Sequence, residues 1–321
     1  MLSELKTLKI HDINLDSSFN YKEFKVSYQI FGKKIGSNPI VLVLHPLTGN
    51  SDVAGIDGWW KKIIYSGGPI DTKNYTIISF NIPGNGFDGV YFDNYKDFNT
   101  SDIARIFKKA LDKLNISRLY AAIGGSIGAG LCWELAALFP DFIRNLIPIA
   151  GDWKSTDWMI ANTTVQNEIL NLSKDSLNVA RMHAMLCYRT PVSFKVRFNR
   201  SFNDEQNIFN VQSWLYHHGE KLKNRFDLRS YKMMNHLLST IDITRYGEKI
   251  EIILKKIQSK IIIISIDSDL FFPIEEDIKT INIANKVGVE IDHEIINSAF
   301  GHDAFLMEYS KLSKILKNIF K

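Results

Sequence analysis

The sequence predicts an α/β fold, in which helices cover both faces of a mostly parallel β-sheet. Short apolar runs rich in β-branched residues are nearly continuous, as is typical of strands buried on both faces; they lie at 40–44, 75–80, 119–123, 146–149, 261–266 and 291–296. Helical patterns separate these runs. The clearest follows Asn99-Thr100-Ser101, which can cap a helix, and carries apolar residues at steps of three and four from 103 to 114. Strands that alternate with helices are the pattern of a parallel sheet.

The alternation of strands and helices stops after about Gly151 and resumes near Lys260. The residues between them have the pattern of helices joined by polar loops, for example at 158–172 and 177–188, without a strong strand signal. We therefore predict a core made of residues 1–152 and 257–321, interrupted by a helical insertion at 153–256. Such an insertion would form a lid over an active site, or else a second lobe without catalytic contacts.

Length and composition exclude several classes of protein. With 321 residues, 45% hydrophobic and 23% charged, the chain is long enough for a sizeable core and is not collagen-like, disordered or coiled-coil. We expect a cytoplasmic protein, because no apolar run approaches the ~18 residues of a membrane helix and the N-terminus lacks a signal-peptide pattern. Cys132 and Cys187 form no C-x-x-C, which argues against structural zinc. The net charge of +4 is spread along the chain and favours a solvated surface over a nucleic-acid interface.

The most informative segment is the pentapeptide GGSIG at 124–128, which fits the G-x-S-x-G pattern of a nucleophile elbow. A strand pattern precedes it and a helix pattern at 131–139 follows it. Small neighbours permit the tight turn that exposes the hydroxyl of Ser126, and the N–H of Ile127 at the helix N-terminus can stabilise an oxyanion. The alternative is a glycine-rich turn that only packs a helix against a strand. A phosphate-binding loop is excluded, because no Lys-Ser/Thr pair follows the glycines.

A serine nucleophile needs a base and a carboxylate that orients the base. In α/β hydrolases the chain order is serine, acid, histidine. Of the histidines that follow Ser126, only His302 lies in a short loop between the last strand pattern and a final helix. The acid should follow the preceding strand, where both Asp267 and Asp269 occur, and spacing alone does not choose between them.

The second oxyanion donor of this fold comes from the loop after an early strand, here HPLTGN at 45–50. Pro46 has no N–H, so Leu47 is the predicted donor. We expect His45 to shape this loop rather than to transfer protons.

Several segments, in the same order, resemble the homoserine O-acetyltransferases of the α/β-hydrolase superfamily: VLVLHPLTGNSDVAG, GGSIGAG, IAGDWKSTDWMIANTTVQNEIL, ARMHAMLCYRT, FNVQSWLYHHGEKLKNRFD, DSDLFFP and GHDAFL. The resemblance covers most of the chain from about Pro39 onward. It implies an α/β-hydrolase fold with Ser126 as nucleophile, Asp269 and His302 as its partners, and Leu47 and Ile127 as oxyanion donors. It also favours Asp269 over Asp267.

The resemblance further implies an amino-acid acceptor site made of Arg181, Tyr188 and Asp303. Arg181 can hold an α-carboxylate in a bidentate pair, and Asp303 can accept from an α-ammonium group. The alternative for Arg181 is a surface residue on an amphipathic helix.

Two segments depart from the family. The glycine-rich loop that follows its third strand is replaced here by residues 81–94, and an aromatic and glycine-rich stretch is missing between Leu170 and Ala180. The expected activity is ping-pong transfer of an acetyl group from acetyl-CoA to homoserine or a similar amino-acid alcohol, without a bound cofactor or metal.

The alternatives are a hydrolase that uses water as the acceptor and an inactive relative that binds a ligand. Acetyl and succinyl donors stay open, and the resemblance implies a homodimer through the insertion.

Overall fold

The computed structural model describes residues 3–173 and 175–320. Within them, strands form in the following order along the chain: β1 (Lys6–Asn14), β2 (Asn20–Gly32), β3 (Ile40–Leu44), β4 (Ile64–Tyr65), β5 (Ile70–Asp71), β6 (Thr76–Phe80), β7 (Leu119–Gly125), β8 (Ile143–Ile149), β9 (Phe202–Asn203), β10 (Ile208–Phe209), β11 (Lys260–Ile266) and β12 (Ile291–Ile296).

The helices of the described residues are α1 (Thr100–Lys113), α2 (Ile127–Leu138), α3 (Asp157–Leu172), α4 (Ser176–Tyr188), α5 (Pro191–Phe198), α6 (Asn210–Lys223), α7 (Leu228–Ser239), α8 (Ile250–Lys256), α9 (Ile274–Lys286) and α10 (Tyr309–Ile319). Short 3-10 helices occur at Tyr95–Asp97 and Gly301–Leu306. At the start of α1, the Asn99 side chain accepts from the backbone N–H of Asp102, and the Asp102 side chain accepts in return from the N–H of Asn99.

The central sheet has the strand order β1-β2-β6-β3-β7-β8-β11-β12. From β6 to β12 neighbouring strands pair in parallel, whereas β1 and β2 pair antiparallel at one edge. The predicted mostly parallel sheet with flanking helices is confirmed. Strands β1 and β2 are not predicted from the sequence, because exposed positions along β1 and in the first half of β2 interrupt the continuous apolar runs that mark the inner strands.

The core lies on both faces of this sheet. Alternation along β3 sends Leu42 and Leu44 into the apolar cluster that includes α1 and α2, and Val41 and Val43 into the opposite cluster, which includes Trp60 and α10. A strand buried on both sides must be apolar at every position, as the IVLVL sequence is. The carboxyl ends of the parallel strands are thereby fixed as one rigid edge.

Helices α3 to α8 lie between β8 and β11 in the chain. Helix α3 packs against α4 and α7, and α4 packs against α6. The small β9–β10 hairpin in this region is not predicted from the sequence, because each strand has only two residues. Among the described residues, no helix has both the length and the apolar character that crossing a membrane requires.

Candidate active site

The predicted elbow lies where β7 ends and α2 begins. Ser126 joins them with φ 60° and ψ −127°, a strained conformation for a residue other than glycine. A Cβ atom at Gly128 would lie 2.3 Å from the carbonyl oxygen of Leu44, and one at Gly124 would lie 2.5 Å from the carbonyl oxygen of Gly128. Glycine is therefore required at both positions, because the backbones of β3, β7 and α2 touch directly.

Ser126 is held through its backbone rather than its side chain. Its N–H donates to the carbonyl oxygen of Ile149 at 3.0 Å. Although a serine at a helix N-terminus ordinarily caps an N–H of the first turn, the Ser126 side chain makes no such bond. The hydroxyl is therefore not committed to the helix that it precedes.

Asp269 and His302 form a buried pair. The Nδ1 atom of His302 lies 2.7 Å from Oδ2 of Asp269. The other oxygen, Oδ1, accepts from the N–H groups of Phe271 at 2.7 Å and Phe272 at 2.9 Å. Asp267 instead accepts from the N–H of Ser298 at 2.9 Å. The structure thus brings Asp269, and not Asp267, to His302.

Aromatic rings surround the imidazole of His302. Ring centroids of Tyr188, Phe271, Phe272 and Phe305 lie 5.1–5.5 Å from its own. The Phe305 ring also covers the elbow, since a Cβ atom at Gly125 would lie 2.5 Å from it. Phe305 therefore joins the loop that carries His302 to the residue next to Ser126.

The predicted oxyanion loop is fixed by His45. This fully buried imidazole has Nδ1 2.8 Å from the carbonyl oxygen of Pro46, and its Nε2 accepts from the N–H of Ile82 at 2.9 Å. Because the N–H of Ile82 can only donate, the ring proton is assigned to Nδ1. Burial lowers the pKa of His45 to about 4, so the ring stays neutral near pH 7. The adjacent Leu47 is buried.

Residues 81–94, which depart from the family pattern, supply the partners of this loop. The Oδ1 atom of Asn81 accepts from the N–H of Ser51 at 2.8 Å, and Asn85 Nδ2 lies 3.1 Å from that oxygen and 3.2 Å from His45 Nε2. The Ser51 hydroxyl donates to Gln29 at 2.7 Å. Sequence reasoning did not find this network. The sequence feature that could have indicated the network is the set of polar residues after β6, because β6 is the strand beside β3.

The three residues of the implied acceptor site lie together beside His302. The guanidinium carbon of Arg181 is 5.5 Å from the Tyr188 ring centroid, and that ring packs on His302. Burial raises the pKa of Tyr188, so its hydroxyl stays protonated. Burial also raises the pKa of Asp303, against the opposing charges of Arg181, Arg189 and His302. Sequence reasoning missed Arg189, whose Nε is 2.9 Å from Asp303 Oδ2.

Two spaces adjoin the oxyanion loop. A cavity of about 10 Å³, room for one water molecule, has Leu47, Tyr188, Gln166 and Phe271 in its walls. On the other side of the loop, a cleft of about 320 Å³ is lined by Thr48–Asn50, Asn85–Phe87, Tyr91 and Lys223–Asp227. Within the described ranges, no cluster of three or more His, Cys, Asp or Glu side chains is arranged to hold a metal ion.

Two further buried carboxyl groups lie near Asp269. The Ser265 hydroxyl donates to Oδ2 of Asp277 at 2.6 Å and lies 2.7 Å from Nε2 of His293. Burial and the negative charges of Asp152 and Asp269 raise the pKa of Asp277 to about 8. Burial and a neighbouring glutamate raise the pKa of Asp152 to about 7. The raised pKa of Asp277 thus reflects the negative charge of Asp269 as well as burial.

Comparison with known proteins gives the following similarities. The family model described as alpha/beta hydrolase fold matches residues 39–294. A homoserine O-acetyltransferase of Symbiobacterium thermophilum is 31% identical over 94% of this chain and 90% of its own length. The crystal structure of homoserine O-acetyltransferase from Bacillus anthracis superposes with a TM-score of 0.90 at 16% identity, covering 100% of this chain and 98% of that one. The crystal structure of esterase E22 superposes with a TM-score of 0.88 at 18% identity, covering all of both chains. At such identities the two solved structures show the shared fold.

Proposed function

This chain belongs to the homoserine O-acetyltransferase family of the α/β hydrolases, and we propose that it transfers acetyl groups through Ser126, His302 and Asp269. On this proposal it is an O-acyltransferase that takes the acetyl group from acetyl-CoA and passes it to homoserine, and the support is its similarity to homoserine O-acetyltransferases. The observation that supports the proposed residues most is the buried pair of His302 and Asp269 at 2.7 Å, on loops that Phe305 connects to the strained elbow. A hydrolase would use the same residues, so the acceptor side of the site decides between the two activities.

In the first half-reaction, His302 Nε2 takes the proton of the Ser126 hydroxyl while Oγ attacks the thioester carbonyl carbon. Asp269 accepts from Nδ1, which leaves Nε2 as the unprotonated nitrogen of the neutral ring. The N–H groups of Leu47 and Ile127 stabilise the negative oxygen of the tetrahedral intermediate. The intermediate then collapses to an acetyl ester on Ser126, and CoA leaves as a thiol with the proton from His302.

In the second half-reaction, the homoserine hydroxyl attacks the carbonyl carbon of the acetyl ester and gives its proton to His302. The bond between Ser126 Oγ and the acetyl group then breaks, His302 returns the proton to Oγ, and O-acetylhomoserine leaves. Arg181 binds the α-carboxylate, and Asp303 accepts from the α-ammonium group. The support for Arg181 is that, among the described residues, its guanidinium makes no ion pair and lies over the Tyr188 ring. Tyr188 packs on His302 and helps to exclude water, so that a bound alcohol competes with solvent for the ester.

The polar cleft beside the oxyanion loop is our proposed entry for the acyl donor. Arg225 in its wall donates to the carbonyl oxygen of Thr48 at 3.0 Å, and Lys223 is its neighbour in the same wall. Thr48 directly follows Leu47, so an arm bound in this cleft lies next to the loop that would hold the thioester oxygen. The positive charges of Arg225 and of Lys223, which also pairs with Asp175 at 2.8 Å, suit the phosphate groups of CoA.

Mass spectrometry of the intact protein after brief exposure to acetyl-CoA tests this function. We expect one acetyl group on Ser126, removed rapidly by homoserine and slowly by water, and no adduct in Ser126→Ala. Ser239→Ala, at the end of α7, is the control that should acetylate normally. An adduct lost to water as fast as to homoserine would favour the hydrolase, and an adduct that persists in Ser126→Ala would exclude the serine mechanism.

A further inference from the structure

Three consecutive residues contact the loop that carries His302: the last residue of α4 and the two residues that follow it. We call residues 188–190 the clasp. The Tyr188 ring packs on the His302 ring, with centroids 5.5 Å apart. Arg189 pairs with Asp303 at 2.9 Å, and the Thr190 hydroxyl donates to the carbonyl oxygen of Ala299 at 2.6 Å. Three successive side chains of the clasp therefore connect the helices that follow β8 to the loop that carries His302.

Arg189 is held rigidly within the clasp. Its side chain is 10% exposed, and its guanidinium carbon lies 5.8 Å from the Trp214 ring centroid and 5.5 Å from that of Phe300. Aromatic faces attract and orient a guanidinium plane. Because this buried cation faces a partly buried carboxylate, loss of either partner is costly, since the other charge is left unpaired.

The charges around Asp303 divide into two kinds. Arg181 and Arg189 both act on this carboxyl, but only Arg189 is in an ion pair among the described residues. The Nε of Arg189 lies 2.9 Å from Oδ2 of Asp303, within ion-pair distance of the carboxylate that would accept from the ammonium group. Arg181 stays available for an anionic group of the substrate. The guanidinium of Arg189 is thus used within the protein, and that of Arg181 is left to bind the ligand.

We propose that Arg189 is a positioning residue that sets acceptor specificity, by keeping Asp303 ionised and directed at the α-ammonium group of the acceptor. The proposal rests on the proposed function. The clasp then has a chemical role. The acetyl-enzyme selects an alcohol that carries an ammonium group, because the ionised carboxylate of Asp303 is held in place to accept from that group. Arg189 itself touches neither substrate nor reacting atoms.

Removal of Arg189 should weaken recognition of the ammonium group and leave acylation unchanged. The titratable and charged groups that face Asp303 are Arg181 and Tyr188 of α4, Arg189 and the adjacent His302. Without the positive charge of Arg189, burial raises the pKa of Asp303 further, so the carboxyl becomes protonated at a higher pH than in the wild-type protein. The KM for homoserine should then rise about 10- to 100-fold and should fall again as the pH is raised.

The test compares homoserine with 4-hydroxybutanoate, which has the same hydroxyl and carboxylate but no ammonium group. Wild-type protein should prefer homoserine strongly, and Arg189→Met should lose most of that preference while Ser126 is acetylated at the normal rate. Arg189→Lys keeps the charge and should recover part of the preference. Arg197→Met is the matched control. Like Arg189, Arg197 packs on Trp214, with its guanidinium carbon 5.5 Å from the ring centroid, but it forms no ion pair among the described residues.

Three results would overturn the proposal. An unchanged preference in Arg189→Met would show that Arg189 does not act through Asp303. A loss of acylation rate equal to the loss of transfer would assign Arg189 a purely structural role, as would a failure of both Arg189→Met and Arg189→Lys to fold. Wild-type protein that forms no acetyl adduct would instead overturn the proposed function, and this inference with it.

Discussion

The elbow around Ser126 and the acceptor side around Asp303 are built in different ways. At the elbow the backbone itself is packed, with the Cα of Gly128 so close to Leu44 that no side chain fits between them. At the acceptor side, the contacts are made by charged and aromatic side chains such as Arg189 and Tyr188. Backbone packing tolerates little change, whereas a side-chain pair can be replaced locally. One fold can therefore keep its nucleophile while its acceptor changes.

The largest effect on turnover is expected when the nucleophile at the elbow is removed. Ser126→Ala should lower the turnover of acetyl-CoA and homoserine by about 10⁴- to 10⁶-fold. The elbow is held by its backbone, so the melting temperature should change little. Release of CoA, measured with a thiol reagent, checks the rate, and thermal unfolding checks the fold. Turnover within tenfold of wild type would exclude Ser126 as the nucleophile.

The next largest effect is expected at the carboxylate that orients the base. Asp269→Asn should reduce turnover about 10⁴-fold, because an amide in that position favours the wrong imidazole tautomer. Asp267→Asn is the matched control, since Asp267 bonds to the N–H of Ser298 and not to His302. Steady-state rates for the two variants separate them. Equal losses in both would contradict the assignment of Asp269.

On the acceptor side, Arg181→Met should act on one half-reaction alone. Loss of a charge-assisted pair with the α-carboxylate should raise the KM for homoserine about 10- to 100-fold. The rate at which acetyl-CoA labels Ser126 should stay within twofold of wild type. Pre-steady-state release of CoA and steady-state transfer measure the two separately. An equal effect on both half-reactions would contradict the division between elbow and acceptor side.

The smallest effect on activity is expected at Asp277. Its pKa is raised from 3.8 to about 8, so the folded protein binds more protons than the unfolded chain between these values. The free energy of unfolding should therefore decrease as the pH rises from about 4 to 8. Asp277→Asn should flatten that decrease and leave turnover nearly unchanged. Urea unfolding at several pH values measures it, and an unchanged slope would contradict the shifted pKa.

The sequence predicted what depends on local pattern. Continuous apolar runs marked the inner strands of the sheet. Ser126 and His302 stay predictions, made from the G-x-S-x-G pattern and from the chain order serine, acid, histidine. Asp269 could not be separated from Asp267 by spacing, since the choice depends on which carboxylate the turn directs at His302. The family resemblance made that choice.

The residues that the sequence did not reveal depend on how distant elements dock. Arg189 meets Asp303 only because α4 ends against the histidine loop, and nothing near either residue in the chain marks the other. The charge of Asp152, which follows β8, raises the pKa of Asp277 in α9, although the two residues are distant in the chain. The antiparallel strands β1 and β2 were not predicted, because exposed positions along β1 and in the first half of β2 allow polar residues that interrupt the apolar pattern.

The imidazole of His45 has a consequence for how the reaction responds to acidity. With a pKa of about 4, its ring carries no charge near neutral pH, so the bonds that it makes to Pro46 and Ile82 do not depend on acidity there. A shift of one pH unit around neutrality should therefore leave the proposed oxyanion loop in place.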